Sequence, residues 1–396
     1  MSEPLPSQTA SVDGVSQVFR RLRNTEFPWT AETTYLNNAS IGPIPERTRR
    51  VIDAFTAKRA APHLLEEKEL GGALLDARAV LARLIHADME EIGLATNTSY
   101  GLNVAARALP IAPGERILVS DREFPANIYP WLLLRERGVH VDLAPTTPEG
   151  WPDHGYLLER LRDPAVRVLA ISMVQFSSGY RADLDALGAA CRANGTYFVV
   201  DAIQGLGQIP LDVRQTPVDI LSSGGQKWLL SPWGSGFMYV RRGLLRDLHQ
   251  PIAGWMGFEG TDDFAHLTNY DATPRCDARR FEMVTLPFQD LVGLTESVRM
   301  LLGLGIDAIA AHLDEVRRPL LEAAQLGAFE IVSPTDPVHT SAIVCVRTEH
   351  VVECYHHLKK ANVVCALREG AIRFSPHCYN TPEEMEKVVG ILTERG

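Results

Sequence analysis

An acid and an amine follow two short apolar segments in the middle of the chain, where strands of a sheet would end. Tyr197 to Val200 leads directly into Asp201, and Val218 to Leu221 leads through a serine- and glycine-rich turn to Lys227. β-Branched and aromatic runs that break into glycine-rich turns predict buried strands. Because the ligands of open α/β sheets bind beyond the carboxyl ends of the strands, we expect both side chains to face one crevice.

The residues around this lysine form a longer pattern. Ser222-Ser223-Gly224-Gly225 precedes it, and Trp228 and Gly234-Ser235-Gly236 follow it. The pattern resembles the cofactor site of pyridoxal-phosphate enzymes of the class V aminotransferase family, which includes cysteine desulfurases, isopenicillin N epimerase and kynureninase. The resemblance implies that Lys227 forms the Schiff base, that Asp201 pairs with the pyridine nitrogen, and that Gln204 lies beside the ring hydroxyl. A turn lysine and a capping aspartate are the alternative interpretation, which the joint pattern disfavours.

The residue types suit this cofactor. An amine forms an imine with an aldehyde and, once displaced by substrate, is a free base within reach of the substrate Cα proton. A carboxylate beside the ring nitrogen keeps that nitrogen protonated, which makes the ring an electron sink. The resemblance therefore implies pyridoxal 5'-phosphate as cofactor, an amino acid as substrate, and Lys227 and Asp201 as catalytic residues.

A polar segment follows another apolar run and opens a helix-like stretch. Thr96-Asn97-Thr98-Ser99 comes after Ile92 to Ala95 and before Tyr100 to Leu109. Hydroxyl groups and free amide hydrogens at a helix start form an anion site. We therefore expect Thr96, Asn97 and Thr98 to contact the cofactor phosphate. In the alternative interpretation, Thr98 or Ser99 is only an N-cap.

The segment from Glu123 to Trp131 follows the apolar run Arg116 to Ser120. It is similar to the Glu-His-x-Ala-Asn-x-x-Pro-Trp segment of the desulfurase branch, whose histidine stacks on the cofactor ring. Phe124 occupies that position here, so the resemblance implies stacking by Phe124, with a core phenylalanine as the alternative. A phenyl ring stacks but neither titrates nor donates a hydrogen bond, so histidine's acid-base role is in doubt here.

Further cofactor contacts are implied by the resemblance alone. Gln175 matches the position where relatives often place an asparagine near the ring oxygen, and Gln226 stands where many have a histidine that contacts the phosphate. Ser223 lies in the serine-glycine turn of the cofactor site. Arg279 to Thr285 resembles Arg-Phe-Glu-x-Gly-Thr, with Val284 in place of the glycine. The family's threonine reaches the phosphate of the neighbouring subunit, so Thr285 implies a homodimer.

Two segments carry the candidate substrate contacts. Tyr35 to Pro43 looks like the family's opening loop, which reaches the substrate side of the cofactor, and places Asn38 there. Arg368 to Asn380 resembles the end at which an arginine grips the substrate α-carboxylate; Arg373 is the candidate and Arg368 the weaker one. A guanidinium fixes a carboxylate through two parallel hydrogen bonds. A surface arginine at a strand edge is the alternative.

Strands that alternate with helices over residues 92–245 predict an α/β fold with a mostly parallel, doubly wound sheet. The resemblance implies a seven-stranded sheet of fold type I. We divide the chain into an arm at residues 1–30, a large cofactor-binding domain at 31–287 and a smaller C-terminal α+β domain at 288–396. Residues 45–87 read as helix.

The composition limits the partners. A net charge of −10 disfavours nucleic-acid binding, which needs a basic face. No apolar run approaches the roughly 20 residues of a membrane span, and the polar N-terminus has no secretion signal, so we expect a cytoplasmic protein without membrane contact. The six cysteines show neither CxxC pairing nor clustering with histidine, so we expect reduced structural thiols and no metal site.

The reaction is less defined than the cofactor. Desulfurases of this family carry a nucleophilic cysteine on a mobile loop between the positions that match Arg368 and Arg373, and the four residues between them include no thiol. Persulfide chemistry is therefore disfavoured. Transamination is the preferred expectation and a carbon-sulfur β-lyase the close alternative, with epimerase or kynureninase-type chemistry also open. Outside enzymes, the alternative is a silent cofactor-binding regulatory protein.

Overall fold

A computed structural model describes residues 12–394, so residues 1–11 of the expected N-terminal arm lie outside the described part. The helices are α1 Val12–Glu26, α2 Glu46–Ala60, α3 Glu67–Ile85, α4 Thr98–Ala108, α5 Tyr129–Leu132, α6 His154–Arg160, α7 Leu184–Asn194, α8 Phe288–Leu304, α9 Ile306–Gln325, α10 Val351–Lys360 and α11 Pro382–Thr393. The strands are β1 Thr34–Tyr35, β2 Ile92–Ala95, β3 Arg116–Ser120, β4 His140–Ala144, β5 Val166–Ser172, β6 Tyr197–Asp201, β7 Ile220–Gly224, β8 Gly236–Val240, β9 Glu330–Ile331, β10 Val344–Arg347, β11 Val363–Val364, β12 Ala366–Arg368 and β13 Ala371–Phe374.

Seven strands form the central sheet in the order β2-β8-β7-β6-β5-β3-β4. Strands β3 to β7 pair in parallel, whereas β8 runs antiparallel to both of its neighbours. The mostly parallel α/β sheet expected from the sequence is confirmed. Its parallel strands end at one edge, so the residues that follow them lie close together.

Helices cover both faces of this sheet. Along β6, Phe198 and Val200 belong to the core cluster that contains Leu187 of α7. Val199 points to the other face, in the cluster that contains Leu102 of α4. Each such side chain contributes about 1.5–3 kcal/mol when it leaves water, which is why a short strand buried on both faces reads as a continuous apolar run.

The single helix expected over residues 45–87 is two helices. Helix α2 ends at Ala60 and α3 begins at Glu67, with a short 3₁₀ turn at Pro62–Leu64 between them. Ala61 takes the non-helical angles φ −126° and ψ 74°. The cause is Pro62, because proline removes a backbone donor and drives the preceding residue out of helical geometry.

The C-terminal part contains a four-stranded antiparallel sheet in the order β12-β13-β10-β9. An N-terminal segment joins it: β1 pairs in parallel with β11, and Ser375 N donates to Leu36 O at 2.8 Å. Helix α11 starts with the expected cap, since Thr381 and Glu384 form a capping box. The residues just before the large sheet therefore lie directly beside the end of β13.

Helix α8 packs against α2 and α3, and Thr48 and Ser297 share a hydrogen bond at 2.8 Å across that contact. The domain boundary expected between residues 287 and 288 remains a prediction. Among the helices of residues 12–394, none is long and apolar enough to cross a membrane.

Candidate active site

Asp201 and the turn that carries Lys227 come from neighbouring parallel strands. Asp201 is the last residue of β6 and lies in register with Ser222 of β7. Lys227 follows the end of β7 by three residues, at the same edge of the sheet. The two side chains carry opposite charges and interact electrostatically.

Asp201 is a buried carboxyl group, only 3% exposed. Burial raises its pKa to about 6, and the backbone hydrogen bond from Ile203 and the charge of Lys227 oppose the rise. Ile203 N donates to Asp201 Oδ1 at 3.0 Å, which fixes the carboxyl group. A buried carboxylate at a strand end is suited to pair with a protonated nitrogen of a ligand ring.

Lys227 is largely withdrawn from water. Burial lowers its pKa to about 8, Asp201 opposes that change, and the positive charge of Arg373 adds to it. Its Nζ lies 5.6 Å from the centroid of the Phe124 ring. A lysine with this pKa is partly neutral near neutral pH, and the neutral amine is both a nucleophile and a base.

The backbone around Lys227 is held from two sides. Gly42 N donates to Gln226 O at 2.8 Å, and a Cβ on Gly42 would come within 2.0 Å of Lys227 O, so only glycine fits there. On the other side, His377 Nε2 donates to Trp228 O at 3.0 Å. His377 is a neutral donor, because burial lowers its pKa to about 4 and its Nδ1 accepts from Cys378 N.

Gln204 connects the N-terminal segment to the lysine turn. Its Nε2 donates to Ala39 O at 3.0 Å, and its Oε1 accepts from Trp228 Nε1 at 2.8 Å. One N–H and one lone pair of the amide remain for a ligand. A contact between Gln204 and the ring hydroxyl stays a prediction.

The expected phosphate site lies at the start of α4. Thr96 and Asn97 are exposed, and Asn97 is the N-cap: its Oδ1 accepts from Tyr100 N at 2.9 Å. The suggestion that Thr98 or Ser99 caps the helix is therefore wrong. Thr98 is buried, and its hydroxyl oxygen accepts from Gly224 N at 2.8 Å, which fixes the helix start against β7. Phosphate contacts by Thr96, Asn97 and Thr98 stay predictions.

The remaining cofactor candidates differ in exposure. Ser223 is fully buried in β7 and donates to Gly224 O at 3.1 Å, whereas Gln226 is half-buried beside that strand end. Thr285 is exposed, in the segment that leads into α8. Its exposure leaves it accessible to another subunit, and the phosphate roles of all three residues stay predictions.

Glu123 is a site residue to which the sequence analysis gave no role. It is buried, its Oε1 accepts from Ser172 N at 2.9 Å, and the charge of Asp201 acts on it. Ser172 is the register partner of Asp201, so Glu123 lies one strand away from the acid of the site. The signal that identified Asp201, an acid shortly after a buried strand, is also present at Glu123.

Two phenylalanines line the space beside the lysine. The Phe124 ring is 45% exposed and contacts the Phe176 ring edge to face, with centroids 5.3 Å apart. The alternative of a core phenylalanine at 124 is therefore wrong. Stacking of Phe124 on the cofactor ring stays a prediction, and its exposed face is available for it.

Arg373 is buried in β13 and is not the surface arginine of the alternative interpretation. It is 2% exposed, and burial lowers its pKa to about 10. One terminal nitrogen donates to Phe176 O at 2.6 Å and the other to the hydroxyl of Ser40 at 2.8 Å. Its Nε is buried without a hydrogen-bond partner in the described structure. By contrast, Arg368 is exposed.

Ser40, and not Asn38, is the residue of the opening loop that contacts Arg373. Asn38 is fully buried, and its Oδ1 accepts from the Tyr379 hydroxyl at 3.1 Å. Asn38 and Ser40 are two positions apart, and their side chains would lie on the same face only if the backbone between them were a regular extended strand. Here Ser40 N donates no strand bond but closes a turn onto Asn37 O at 3.0 Å. Substrate contact by Asn38 stays a prediction.

The donor set fits pyridoxal phosphate. Lys227, Asp201 and Arg373 meet at one edge of the sheet, and they are an amine that can bond to an aldehyde, a buried acid that can pair with a ring nitrogen and a guanidinium that can bind a carboxylate. Two buried atoms there, Gln175 Oε1 and Arg373 Nε, have no hydrogen-bond partner among residues 12–394. Buried polar atoms are normally paired, so a ligand is expected to complete them.

Comparison with known proteins agrees with this site. The family model described as aminotransferase class-V matches residues 34–388. An uncharacterized aminotransferase of Bacillus subtilis, YcbU, is 29% identical over 313 residues, which is 79% of this chain and 81% of that protein. The isopenicillin N epimerase of Streptomyces clavuligerus is 29% identical over 377 residues, 90% of this chain and 93% of that protein.

A solved structure shows the same fold. The apo structure of a cysteine desulfurase from Thermococcus onnurineus superimposes with a TM-score of 0.84 at 22% identity, over 94% of this chain and 96% of that one. Because the family model spans most of the sequence, the chain belongs to the class V aminotransferase family. It is a pyridoxal-phosphate-dependent enzyme of fold type I, and enzymes of this family act on small amino-acid substrates.

Proposed function

We propose that this enzyme is an aminotransferase, with Lys227 as the residue that carries the cofactor covalently and moves the substrate proton. The observation that carries the proposal is that Lys227 lies beside Phe124, whose ring centroid is 5.6 Å from Nζ. A lysine with a pKa near 8 can accept and return a proton near neutral pH, whereas a phenyl ring can do neither. A single proton-transferring group on one side of the substrate suits transamination, in which the proton leaves the substrate Cα and is returned at a neighbouring position.

Each of the other residues has a separate task. Bound pyridoxal phosphate supplies an electron sink for bond breaking at the substrate Cα. Asp201 holds the proton on the ring nitrogen, and Lys227 takes the Cα proton and returns it at a neighbouring position. The free Nε edge of Arg373 holds the substrate α-carboxylate, while Phe124 and Phe176 exclude water from that side.

The active unit is a homodimer in this proposal. Thr285 is exposed and matches the family's threonine that reaches the neighbouring subunit's phosphate, which supports a site completed by a second copy. We also propose a cytoplasmic location. The six cysteines, at 191, 276, 345, 354, 365 and 378, are all unpaired, which supports a reducing compartment.

Two alternative reactions have less support. Epimerisation needs a proton donor on the opposite side of the substrate, and Phe124 is not one. Persulfide formation needs a thiol on a mobile loop. The segment between Arg368 and Ala371 is instead a two-residue hairpin turn, Glu369-Gly370, with φ 45° and 75° and no cysteine. A carbon-sulfur β-lyase shares the proton abstraction with an aminotransferase, so only product analysis separates the two.

The test offers the purified holoenzyme a panel of amino acids while the amine form of the cofactor, keto acid, ammonia and sulfide are followed. Accumulation of the amine form without ammonia supports the aminotransferase. Pyruvate with ammonia or sulfide would establish the β-lyase instead. Lys227→Ala is the control, because it should abolish the visible absorbance band of the lysine-bound cofactor. No product from any amino acid would favour a silent cofactor-binding protein.

A further inference from the structure

The buried carboxyl group of Glu123 receives hydrogen bonds from three neighbouring residues. Gln175 Nε2 donates to Oε1 at 2.5 Å, Asn127 Nδ2 donates to Oε2 at 3.2 Å, and both the backbone and the hydroxyl of Ser172 donate as well. All of these partners are uncharged, so no cation fixes the carboxyl group in its ionised form. Burial raises its pKa to about 7, and the charge of Asp201 adds to the rise.

Among the hydrogen-bond partners of Glu123, Gln175 has a side-chain amide that can rotate by a half-turn. Its backbone is fixed, because Gln175 N donates to Tyr180 O at 2.8 Å and Gly179 N donates to Gln175 O at 2.9 Å. Its side chain is 2% exposed, and Oε1 is buried without a partner in the described part of the chain. The two ends of an amide have nearly the same shape, so a half-turn of the group exchanges oxygen and nitrogen without repacking.

An ionised carboxylate only accepts hydrogen bonds and therefore selects the N–H end of the amide, whereas a carboxylic acid also donates and can select the oxygen. We propose that Glu123 is a positioning residue, which sets through its protonation state the end of the Gln175 amide that faces the cofactor ring. The structure shows the arrangement that suits an ionised Glu123, because Gln175 Nε2 donates to the carboxyl group and Gln175 Oε1 is left without a partner among residues 12–394. With Glu123 protonated, the amide turns and presents its N–H. The proposal rests on the placement of Gln175 beside the ring oxygen, and it is independent of the reaction catalysed.

Binding of the cofactor favours the second state. A ring oxygen that has lost its proton repels the amide oxygen and attracts an N–H donor. Glu123 then takes one proton from solvent, its O–H donates to Gln175 Oε1, and Gln175 Nε2 donates to the ring oxygen. No covalent bond to carbon forms or breaks and no electrons move. Asp201 on β6 is the charged group that acts on Glu123, and Lys227 acts in turn on Asp201.

Proton uptake on binding determines the direction in which the cofactor affinity changes with pH. Because the complex holds one proton more than the free partners, affinity strengthens as the pH falls and weakens as the pH rises. The free Glu123 titrates near pH 7, so the loss begins above that value and approaches tenfold per pH unit. The loss stops at the higher pKa that Glu123 has in the complex.

The test measures the dissociation constant of pyridoxamine 5'-phosphate between about pH 6 and about pH 9. This amine form cannot bond covalently to Lys227, so imine formation does not contribute to the measured dissociation constants. The matched variant is Glu123→Gln, whose amide offers a donor and an acceptor at every pH. We expect the dissociation constant of the wild type, divided by that of the variant, to rise roughly tenfold or more across this range.

Two controls separate the amide from a general charge effect on Asp201. In a Gln175→Leu background, Glu123→Gln should no longer change the pH dependence. With a cofactor analogue that lacks the ring hydroxyl, wild type and variant should follow parallel curves. A ratio of dissociation constants that does not change with pH, or a change of the ratio with pH that persists in the Gln175→Leu background, would overturn the proposal.

If Glu123→Gln does not fold, Glu123→Asp serves, because a retained carboxyl group should retain the pH dependence. Failure of the wild type to bind pyridoxamine phosphate at all would instead contradict the cofactor assignment.

Discussion

Arg373 and Ser40 are 333 residues apart in the sequence, and the guanidinium donates to the serine hydroxyl at 2.8 Å. The contact joins β13 of the C-terminal sheet to the segment that also packs on the lysine turn. The other terminal nitrogen donates to Phe176 O, and Nε is buried without a hydrogen-bond partner among residues 12–394. These two hydrogen bonds fix the guanidinium, and if Arg373 binds the substrate carboxylate as we propose, this lowers the entropic cost of binding.

Ser40→Ala should weaken substrate binding without removing the arginine. A lost hydrogen bond to a charged group costs about 1.5–3 kcal/mol, so we expect KM for the amino acid to rise by roughly tenfold or more, with kcat changed less. Steady-state kinetics on the best substrate of the panel measures both. Ser40→Thr, which keeps the hydroxyl, is the matched control. An unchanged KM would mean that Ser40 does not position Arg373.

Arg373→Lys should have a larger effect, because lysine cannot form two parallel hydrogen bonds with a carboxylate. We expect kcat/KM to fall by about ten- to a hundredfold, corresponding to about 1.4–2.8 kcal/mol. Binding of pyridoxamine 5'-phosphate should change little, because the arginine is assigned to the substrate and not to the cofactor. Equal losses in cofactor affinity and in kcat/KM would contradict that assignment.

Lys227 should control the rate at which apo-enzyme takes up the cofactor. Only the neutral amine attacks an aldehyde, and its pKa is lowered to about 8. We therefore expect the rate of appearance of the visible absorbance band to rise with pH through about 8 and then level off. Asp201→Asn removes the nearby negative charge, so it should move this midpoint to lower pH. A midpoint near that of an ordinary lysine would show that the amine is not buried in solution.

The sequence indicated where Asp201 and Lys227, the proposed catalytic residues, lie because both follow short apolar strands. Strand β6 is buried on both faces of the sheet, so its sequence is a continuous apolar run. Strand β4 was not found in the same way, since it lies at the sheet edge and only Val141 and Ala144 of its five residues are buried. Strand β8 was read only as part of a glycine motif, although all of its residues are buried. Antiparallel placement between β2 and β7 is a tertiary property that local sequence does not encode.

The contacts of the site were less predictable than its strand ends. The link between Ser40 and Arg373 depends on how the opening loop meets β13, and sequence spacing does not define that geometry. Gln204 matched a family position, but its bonds to Ala39 and Trp228 appear only when three segments come together. Glu123 carried a readable signal, and only its four hydrogen bonds show that it is part of the site.

Glu123 should make the stability of the apo-enzyme depend on pH. Its pKa rises from 4.5 to about 7 on folding, so the native state holds a proton that the unfolded chain has lost between those values. The free energy of unfolding therefore falls as the pH rises from about 4.5 to about 7, by on the order of 3 kcal/mol. In Glu123→Gln this contribution should be absent. Urea denaturation of both apo-proteins between about pH 5 and about pH 8 measures it, and parallel profiles would contradict it.

A buried ion pair should hold the segment that leads to Thr285. Arg78 of α3 forms a two-pronged contact with Glu282, the closest approach being 2.6 Å, and Leu94 N donates to the same carboxylate at 2.9 Å. Burial raises the pKa of Glu282, and the guanidinium opposes the rise. Arg78→Met leaves that carboxylate buried without its cation, which should cost about 3–5 kcal/mol of unfolding free energy.

The double variant Arg78→Met with Glu282→Gln should recover much of this loss, because it removes both charges and keeps an acceptor for Leu94 N. Urea denaturation gives the coupling energy from the four proteins. If Thr285 completes the site of a second subunit, Arg78→Met should also weaken the dimer, which sedimentation at decreasing concentration measures. Additive losses in the double variant would show that the two residues are not coupled. A destabilised chain with an unchanged dimer would separate the ion pair from the subunit contact.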